Sequence, residues 1–113
     1  MEPDQPPHGD VFRAIADPGR RALMDALFSR DGQSVNELCD VLPDMTRFGV
    51  MKHLKILAEA NLVLTEKVGR SKLHYLNPVP IQQIHDRWIA KYAQAGAETL
   101  TELSRRLAGP RSP

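Results

Sequence analysis

The sequence predicts a mainly helical domain with one small β-hairpin, in the order α-α-α-α-β-β-α. Two observations favour this fold class. Apolar residues recur at helical spacing in four segments before residue 61, and again from residue 81 onward. Between them, residues 62–76 are rich in strand-forming residues on both sides of a turn that contains glycine. A chain of 113 residues is then one domain with a modest core, which a second chain would enlarge.

The composition is that of a globular protein, since apolar residues make up 42% of the chain. No apolar run approaches the length of a membrane-spanning helix, so we expect no membrane partner. Residues 1–7 are acidic, contain three prolines and are unlike a signal peptide. We expect a disordered tail there and a cytoplasmic protein. Cys39 is the single cysteine and cannot form an internal disulfide, which agrees with a reducing compartment.

The charge is distributed unevenly along the chain. Residues 46–75 hold six lysines and arginines against two acidic residues, whereas the whole chain has a net charge of only +1. A basic patch on an otherwise acidic body is typical of a surface that binds phosphate. A chance cluster of charges on a solvated surface would look the same, so charge alone does not decide between the two.

The first two helices are predicted over residues 9–16 and 18–30. Asp17 suits the cap position of the second helix, and Pro18 suits its first turn, where the missing N–H costs nothing. Gly32 can take the left-handed conformation that ends this helix.

The third and fourth helices are predicted to form a helix-turn-helix. Ser34 and Glu37 form a capping box at the start of the third helix, over residues 35–41, with Leu38 and either Val41 or Leu42 inward. Pro43 and Asp44 then force a turn, and Thr46 caps the fourth helix.

The fourth helix has one apolar and one basic face. Val50, Leu54 and Leu57 fall on one line at about 100° per residue, with Ala58 beside them. The opposite face carries Phe48, Lys52, Lys55 and Glu59. Gly49 lowers helix propensity near the front, which a close approach to DNA would explain, although the cost of about 1 kcal/mol is also tolerable.

Asn61 is expected to end the fourth helix in the left-handed conformation, before strands over 62–67 and 72–76. Gly69 supplies a positive φ in the turn, and Arg70 lies at its tip with lysines on either side. An ordinary exposed hairpin would also carry solubilising charges. Because this hairpin directly follows a basic helix, we interpret it as a DNA-binding wing.

A stiff connector over 77–80 is expected to lead into one long helix over 81–107, whose apolar stripe has nearly a seven-residue repeat. We expect the stripe to pack on a second copy of the chain and also on the chain's own first helix. Residues 8–107 would form one DNA-binding and dimerisation domain, and 108–113 a tail. The residues expected at the dimer interface are Phe12, Ile84, Trp88, Tyr92, Leu100, Leu103 and Leu107.

Several motifs, in order, resemble the arsenic-repressor (ArsR-type) winged helix-turn-helix transcription regulators. The resemblance runs from about residue 10 to 92 and is carried by residues 12–23, 34–38, 52–57, 60–63, 69–70 and 75–78. It implies a homodimer, recognition of DNA by the fourth helix, a wing, and autoregulated repression of a nearby operon.

The sequence departs from the ArsR-type pattern at two places. Phe48 and Met51 stand where relatives carry small polar residues in the recognition helix, which should change the bases that are read, through contact with thymine methyl groups. The metal-sensing pattern is also incomplete, because Val41 stands where a second cysteine would follow Cys39. His85, Asp86, Glu98 and Glu102 do not reproduce the family's other ligand spacing either. We therefore expect no metal site and no cofactor, and interpret Cys39 as a core residue.

These observations favour a homodimeric, sequence-specific DNA-binding regulator, an autoregulating repressor of a palindromic operator. A winged-helix module for protein contact and a metal-sensing repressor are the alternatives. No nucleophile–base pair or phosphate-binding glycine loop indicates an enzyme, and we expect no catalytic residue. The operator and the inducing signal stay open, and the signal could be an organic ligand or a partner protein. The residues expected to bind duplex DNA are Thr46, Arg47, Phe48, Gly49, Met51, Lys52, His53, Lys55, Lys67, Arg70, Ser71 and Lys72.

Overall fold

The structure is a computed structural model and describes residues 8–108. It confirms the predicted fold class, mainly helical with one two-stranded antiparallel hairpin. The predicted tail over 1–7 and all but the first residue of the tail over 108–113 lie outside the described residues. The elements are α1 (Gly9–Ile15), α2 (Pro18–Ser29), α3 (Val35–Cys39), α4 (Arg47–Glu59), β1 (Val63–Val68), β2 (Ser71–Leu76), α5 (Val79–Ile84), a π-helical turn (His85–Ile89) and α6 (Ala90–Leu107).

The chain divides into two compact units, one ending at Ile81 and one beginning at Gln82. The core of the first unit is aliphatic, and α4 contributes one face of it through Val50, Leu54 and Leu57. Leu38 of α3, which was predicted to face inward, is buried with them. Burial of these side chains, each contributing about 1.5–3 kcal/mol, fixes α4 so that its opposite face meets solvent.

Side-chain caps begin the helices where the sequence predicts them. The Asp17 carboxylate accepts a hydrogen bond from the Arg20 N–H at 3.0 Å, and the Thr46 hydroxyl accepts one from the Gly49 N–H at 3.0 Å. At α3 both halves of the capping box between Ser34 and Glu37 are present. Each cap satisfies a backbone donor that the first helical turn leaves without a partner.

The hairpin has a two-residue turn, because Val68 pairs directly with Ser71. Gly69 in this turn has a φ of +62°, and Asn61 before the first strand has a φ of +63°. Both left-handed conformations were predicted. The sequence did not predict that Gln33, before α3, forms a short antiparallel bridge with His74 of β2. This bridge holds the hairpin against the segment between α2 and α3.

Several predicted details are wrong. Ala58 is exposed rather than part of the core face. Helix α3 ends at Cys39 instead of residue 41, and Val41 and Leu42 are only half-buried. The connector is shorter than expected, because α5 already begins at Val79 with a proline in its first turn, a position where proline is tolerated.

The second unit contains the π-helical turn and α6. The predicted helix over 81–107 is thus not one regular α-helix, since five residues, His85–Ile89, adopt π-helical geometry. Every residue from 91 to 108 is exposed. The Trp88 and Tyr92 rings lie with their centroids 5.0 Å apart. Among residues 8–108, no helix is both long and apolar enough to span a membrane.

Candidate nucleic-acid interface

A groove of about 820 Å³ lies between the outer face of α4 and the β-hairpin. Its walls combine lysines with apolar side chains, and most of the lining residues belong to α4. The lining residues are Val35, Phe48, Met51, Lys52, Leu54, Lys55, Ile56, Ala58, Glu59, Thr65, Lys72 and His74. Ala58 belongs to this groove, which explains why it is exposed. The groove therefore brings the predicted recognition helix and the predicted wing together on one surface.

Positive charge is concentrated in and beside this groove. Lys52, Lys55 and Lys72 line it, and Lys67 and Arg70 are exposed on the adjoining hairpin. None of these five side chains forms an ion pair with another residue in the range 8–108. Their charges remain available to phosphate groups, whose neutralisation drives protein–DNA association.

The hairpin register places two of these lysines side by side. Lys67 and Lys72 are directly opposite each other on the two strands, and therefore project from the same face of the hairpin. Like charges in this cross-strand position are destabilising. An anion bound between or beside them would reduce the repulsion, so this pair favours a phosphate contact at the hairpin.

The first turns of α4 expose two large apolar side chains in the groove. Phe48 is 72% exposed and Met51 47% exposed. The Lys52 ammonium lies 6.0 Å from the centre of the Phe48 ring, at the outer limit of a cation–π contact. Just before them, Arg47 donates a hydrogen bond to the Asn36 side chain of α3 at 2.9 Å, which orients its guanidinium.

Contacts within the protein explain why position 49 is a glycine, which the sequence alone did not reveal. A Cβ atom at this position would lie 2.6 Å from Met45 Cγ and 3.0 Å from Met45 Sδ. The glycine thus makes room for the Met45 side chain at the end of the helix-turn-helix turn. A close approach to DNA is not needed to explain it.

His53 differs from the other residues expected to bind DNA, because its side chain is only 16% exposed. Its Nδ1 lies 3.2 Å from the Arg20 guanidinium, and its Nε2 lies 3.9 Å from Asp17 Oδ2. A guanidinium only donates hydrogen bonds, so Nδ1 accepts and the imidazole is assigned as the neutral Nε2–H tautomer. His53 therefore faces the body of the domain.

Arg20 is a residue that the sequence reasoning missed. Its Nε donates to the Ala14 carbonyl at 2.8 Å, and a second guanidinium nitrogen donates to the Arg13 carbonyl at 3.2 Å. The same side chain thus links the end of α1 to His53 of α4. No pattern along the chain signals a pair of residues that are 33 positions apart.

The residues expected at a dimer interface fall into two groups. Ile84 is buried within the chain, with only 4% of its surface exposed. The remaining residues are exposed, on α1, the π-helical turn and α6: Phe12, Trp88, Tyr92, Leu100, Leu103 and Leu107.

The metal-ligating residue types do not cluster in the part of the chain that the structure describes. Between residues 8 and 108, no group of three or more His, Cys, Asp or Glu side chains is placed to hold a metal ion. Cys39 is half-buried. His85 Nδ1 lies 3.3 Å from the Asp86 carboxylate beside it, in an exposed position.

Comparison with known proteins agrees with this geometry. A family model described as a helix-turn-helix domain matches residues 15–66. The HTH-type transcriptional regulator YuzN of Bacillus subtilis (strain 168) is 30% identical over 84 residues, which cover 70% of this chain and 91% of the relative.

Solved structures give the same result. An ArsR family transcriptional regulator with a solved crystal structure is 31% identical in sequence to this chain. Its TM-score is 0.69, and the match covers 86% of this chain and 95% of that one. An ArsR-like regulator from Rhodococcus sp. RHA1 is 26% identical, with a TM-score of 0.64 over 92% of this chain and 94% of that one. These relatives are transcriptional regulators and not enzymes. The chain belongs to the ArsR family of helix-turn-helix transcriptional regulators.

Proposed function

We propose that the chain is a cytoplasmic, homodimeric repressor that binds a palindromic DNA operator in its own promoter. The observation that carries this proposal is the groove between α4 and the hairpin, where lysines without ion-pair partners among the described residues surround exposed apolar side chains. Residues 8–107 act as one DNA-binding and dimerisation domain. Duplex DNA satisfies both properties of the groove, since it offers phosphates along its rim and base edges at its floor.

The first turns of α4 enter the major groove, as the second helix of a helix-turn-helix does. Thr46, Arg47, Phe48, Gly49 and Met51 lie nearest the base edges. The lysines of α4 and the residues of the wing contact the phosphates on either side: Lys52, Lys55, Lys67, Arg70, Ser71 and Lys72. His53 supports the helix from behind, through Arg20, and makes no DNA contact.

The exposed stripe of α6 supports a homodimer. Leu100, Leu103 and Leu107 recur at helical spacing and are exposed, and no residue of α6 is buried. A second copy of the same helix covers such a stripe with matching side chains, since a two-fold interface is complementary to itself. ArsR-type relatives imply the same assembly. Two-fold symmetry then requires a palindromic site with half-sites about one helical turn apart.

The test is fluorescence anisotropy of the pure protein on a labelled fragment of its own promoter and on a scrambled duplex, across a range of salt concentrations. We expect tight binding to the promoter only, with affinity falling steeply as salt rises. Lys52→Ala removes one phosphate contact per protomer, so the slope of log affinity against log salt should decrease by about two.

Arg106→Ala is the matched control, because it removes an exposed positive charge from α6 rather than from the groove. This variant should keep the slope of the unaltered protein. Equal, weak binding to promoter and scrambled DNA would contradict a specific, autoregulating repressor. Equal slopes for Lys52→Ala and Arg106→Ala would show that the groove is not the DNA-binding surface.

A further inference from the structure

The groove contains two exposed side chains that cannot bind phosphate. Phe48 and Met51 offer neither a donor nor an acceptor of useful strength, yet both are exposed among lysines. Exposed apolar surface in a binding groove normally marks a contact with an apolar group of the ligand. The identity of that group follows from the chemistry of the DNA major groove.

Only one base presents an apolar group in the major groove. Guanine, cytosine and adenine show hydrogen-bond donors and acceptors there, whereas thymine adds its C5-methyl group. Phe48 and Met51 project from the first turns of the recognition helix, which are the turns that approach base edges. We propose that Phe48 and Met51 determine operator specificity by packing on the C5-methyl groups of two thymines in each half-site. This inference rests on the proposed function.

The geometry of α4 also limits how far apart these thymines are. Residues three positions apart on a helix are neighbours, with Cβ atoms about 5–6 Å apart. Successive base pairs are separated by about 3.4 Å along the duplex axis. Phe48 and Met51 therefore contact methyl groups on neighbouring base pairs or on base pairs two steps apart.

Lys52 lies near the Phe48 ring, one turn further along α4. The Lys52 ammonium lies over this ring, 6.0 Å from the ring centroid. A ring held with one face towards a cation has its edge and its other face left for the base. Lys52 can then reach a phosphate while Phe48 contacts a methyl group, so that one helical turn supplies both affinity and specificity.

The experiment begins with selection of binding sites by the full chain from a pool of random duplexes. Each thymine of the enriched half-site is then replaced by deoxyuridine, which removes only the methyl group and leaves base pairing intact. Loss of one methyl contact weakens binding about threefold to fivefold, and replacement in both half-sites about tenfold to twenty-fivefold. We expect this loss at two positions per half-site, at most two steps apart.

Variants assign each methyl group to its side chain. With Phe48→Ala, deoxyuridine at one of the two positions should no longer weaken binding, whereas the other position should still respond. Met51→Ala should give the reciprocal pattern. Phe28→Ala is the matched control, because it removes another exposed phenyl group, which lies on α2 and does not line the groove. Both deoxyuridine effects should persist in this control.

The outcomes separate this inference from the proposed function. Failure to enrich any sequence would overturn sequence-specific DNA binding, and this inference with it. An enriched site that tolerates deoxyuridine at every position would overturn the inference alone. So would an unchanged deoxyuridine response in both Phe48→Ala and Met51→Ala, because the two side chains would then serve a different occupant of the groove.

Discussion

Asp17 combines two interactions at the start of α2. Its carboxylate accepts the Arg20 backbone N–H, and it also faces the positive guanidinium of Arg20 and the imidazole of His53. The backbone hydrogen bond from Arg20 is the main reason that the Asp17 pKa lies below its ordinary value of 3.8, with partial burial opposing the shift. The same side chain thus caps a helix and helps to fix the residues behind α4.

The lowered Asp17 pKa makes a prediction about acid stability. A carboxyl group with a lower pKa in the folded state stabilises the fold above its unfolded pKa, and this contribution disappears as pH falls through the folded value. Asp17→Asn keeps a good cap but cannot titrate. We expect the unfolding free energy of the unaltered chain to fall more steeply below about pH 5 than that of Asp17→Asn, as measured by urea unfolding.

Two further variants complete this measurement. Asp17→Ala removes the cap at every pH and should cost about 1 kcal/mol. Asp25→Asn, an exposed carboxylate of the same helix, should retain the acid sensitivity of the unaltered chain. Parallel pH profiles for the unaltered chain and Asp17→Asn would show that this carboxylate does not titrate differently on folding.

At the scale of the element, two adjacent residues of α4 have different roles: one holds the helix against the domain, and the other faces the groove. His53 faces inward and meets Arg20, whereas Lys52 faces the groove and lies near Phe48. Because successive residues on a helix are rotated by about 100°, neighbours in sequence can serve different sides of the element. Their substitution should therefore affect different properties.

We expect His53→Ala to lower the unfolding free energy by about 1–3 kcal/mol, because the partly buried Arg20 guanidinium loses one of its three hydrogen-bond acceptors. The slope of DNA affinity against salt should not change. Lys52→Ala should do the reverse, with stability within about 0.5 kcal/mol of the unaltered chain and a smaller salt slope. Urea unfolding and anisotropy measure the two properties. If His53→Ala reduced the salt slope as Lys52→Ala does, His53 would be a phosphate contact after all.

The local elements of the fold could be predicted because their signals lie within a few residues. The Ser34–Glu37 capping box, Gly69 in the hairpin turn and Asn61 at the end of α4 each depend on neighbours in the chain. The basic face of α4 and the wing were predictable for the same reason. ArsR-type motifs in the correct order added the arrangement of the elements.

The parts that could not be predicted depend on residues far apart in sequence. The bridge between Gln33 and His74 and the contact between Arg20 and His53 exist only once the chain has folded. The reason for Gly49 is a side chain four positions away whose packing a sequence does not show. The π-helical turn inserts one extra residue into a helical turn, which rotates the residues before it relative to those after it along the predicted apolar stripe.

At the scale of the whole molecule, α6 is the element whose surface is least explained by the chain alone. It has 18 residues, none of them buried, and its last turns expose three leucines. Apolar side chains left in water contribute nothing to folding, whereas burial against a second copy contributes to both folding and association. The stability of a dimer built in this way should depend on protein concentration.

If the chain forms the proposed dimer, Leu103→Glu should convert it into a monomer. The two-fold axis places the new charge in the interface twice, so that a loss of about 2 kcal/mol per copy raises the dissociation constant by about three orders of magnitude. Trp88→Glu, at the other end of the stripe, should have the same effect. Light scattering coupled to size-exclusion chromatography measures the mass. Unfolding at several protein concentrations measures how far dimerisation stabilises the fold.

Thr101→Glu is the matched control, because it adds the same charge on the opposite face of α6, where Thr101 donates a hydrogen bond to the Ala97 carbonyl. This variant should remain dimeric and should bind the operator as the unaltered chain does. Monomeric Leu103→Glu should bind a palindromic site far more weakly, since each protomer then engages only one half-site. If Leu103→Glu and Trp88→Glu both stayed dimeric, the interface would lie elsewhere in the chain.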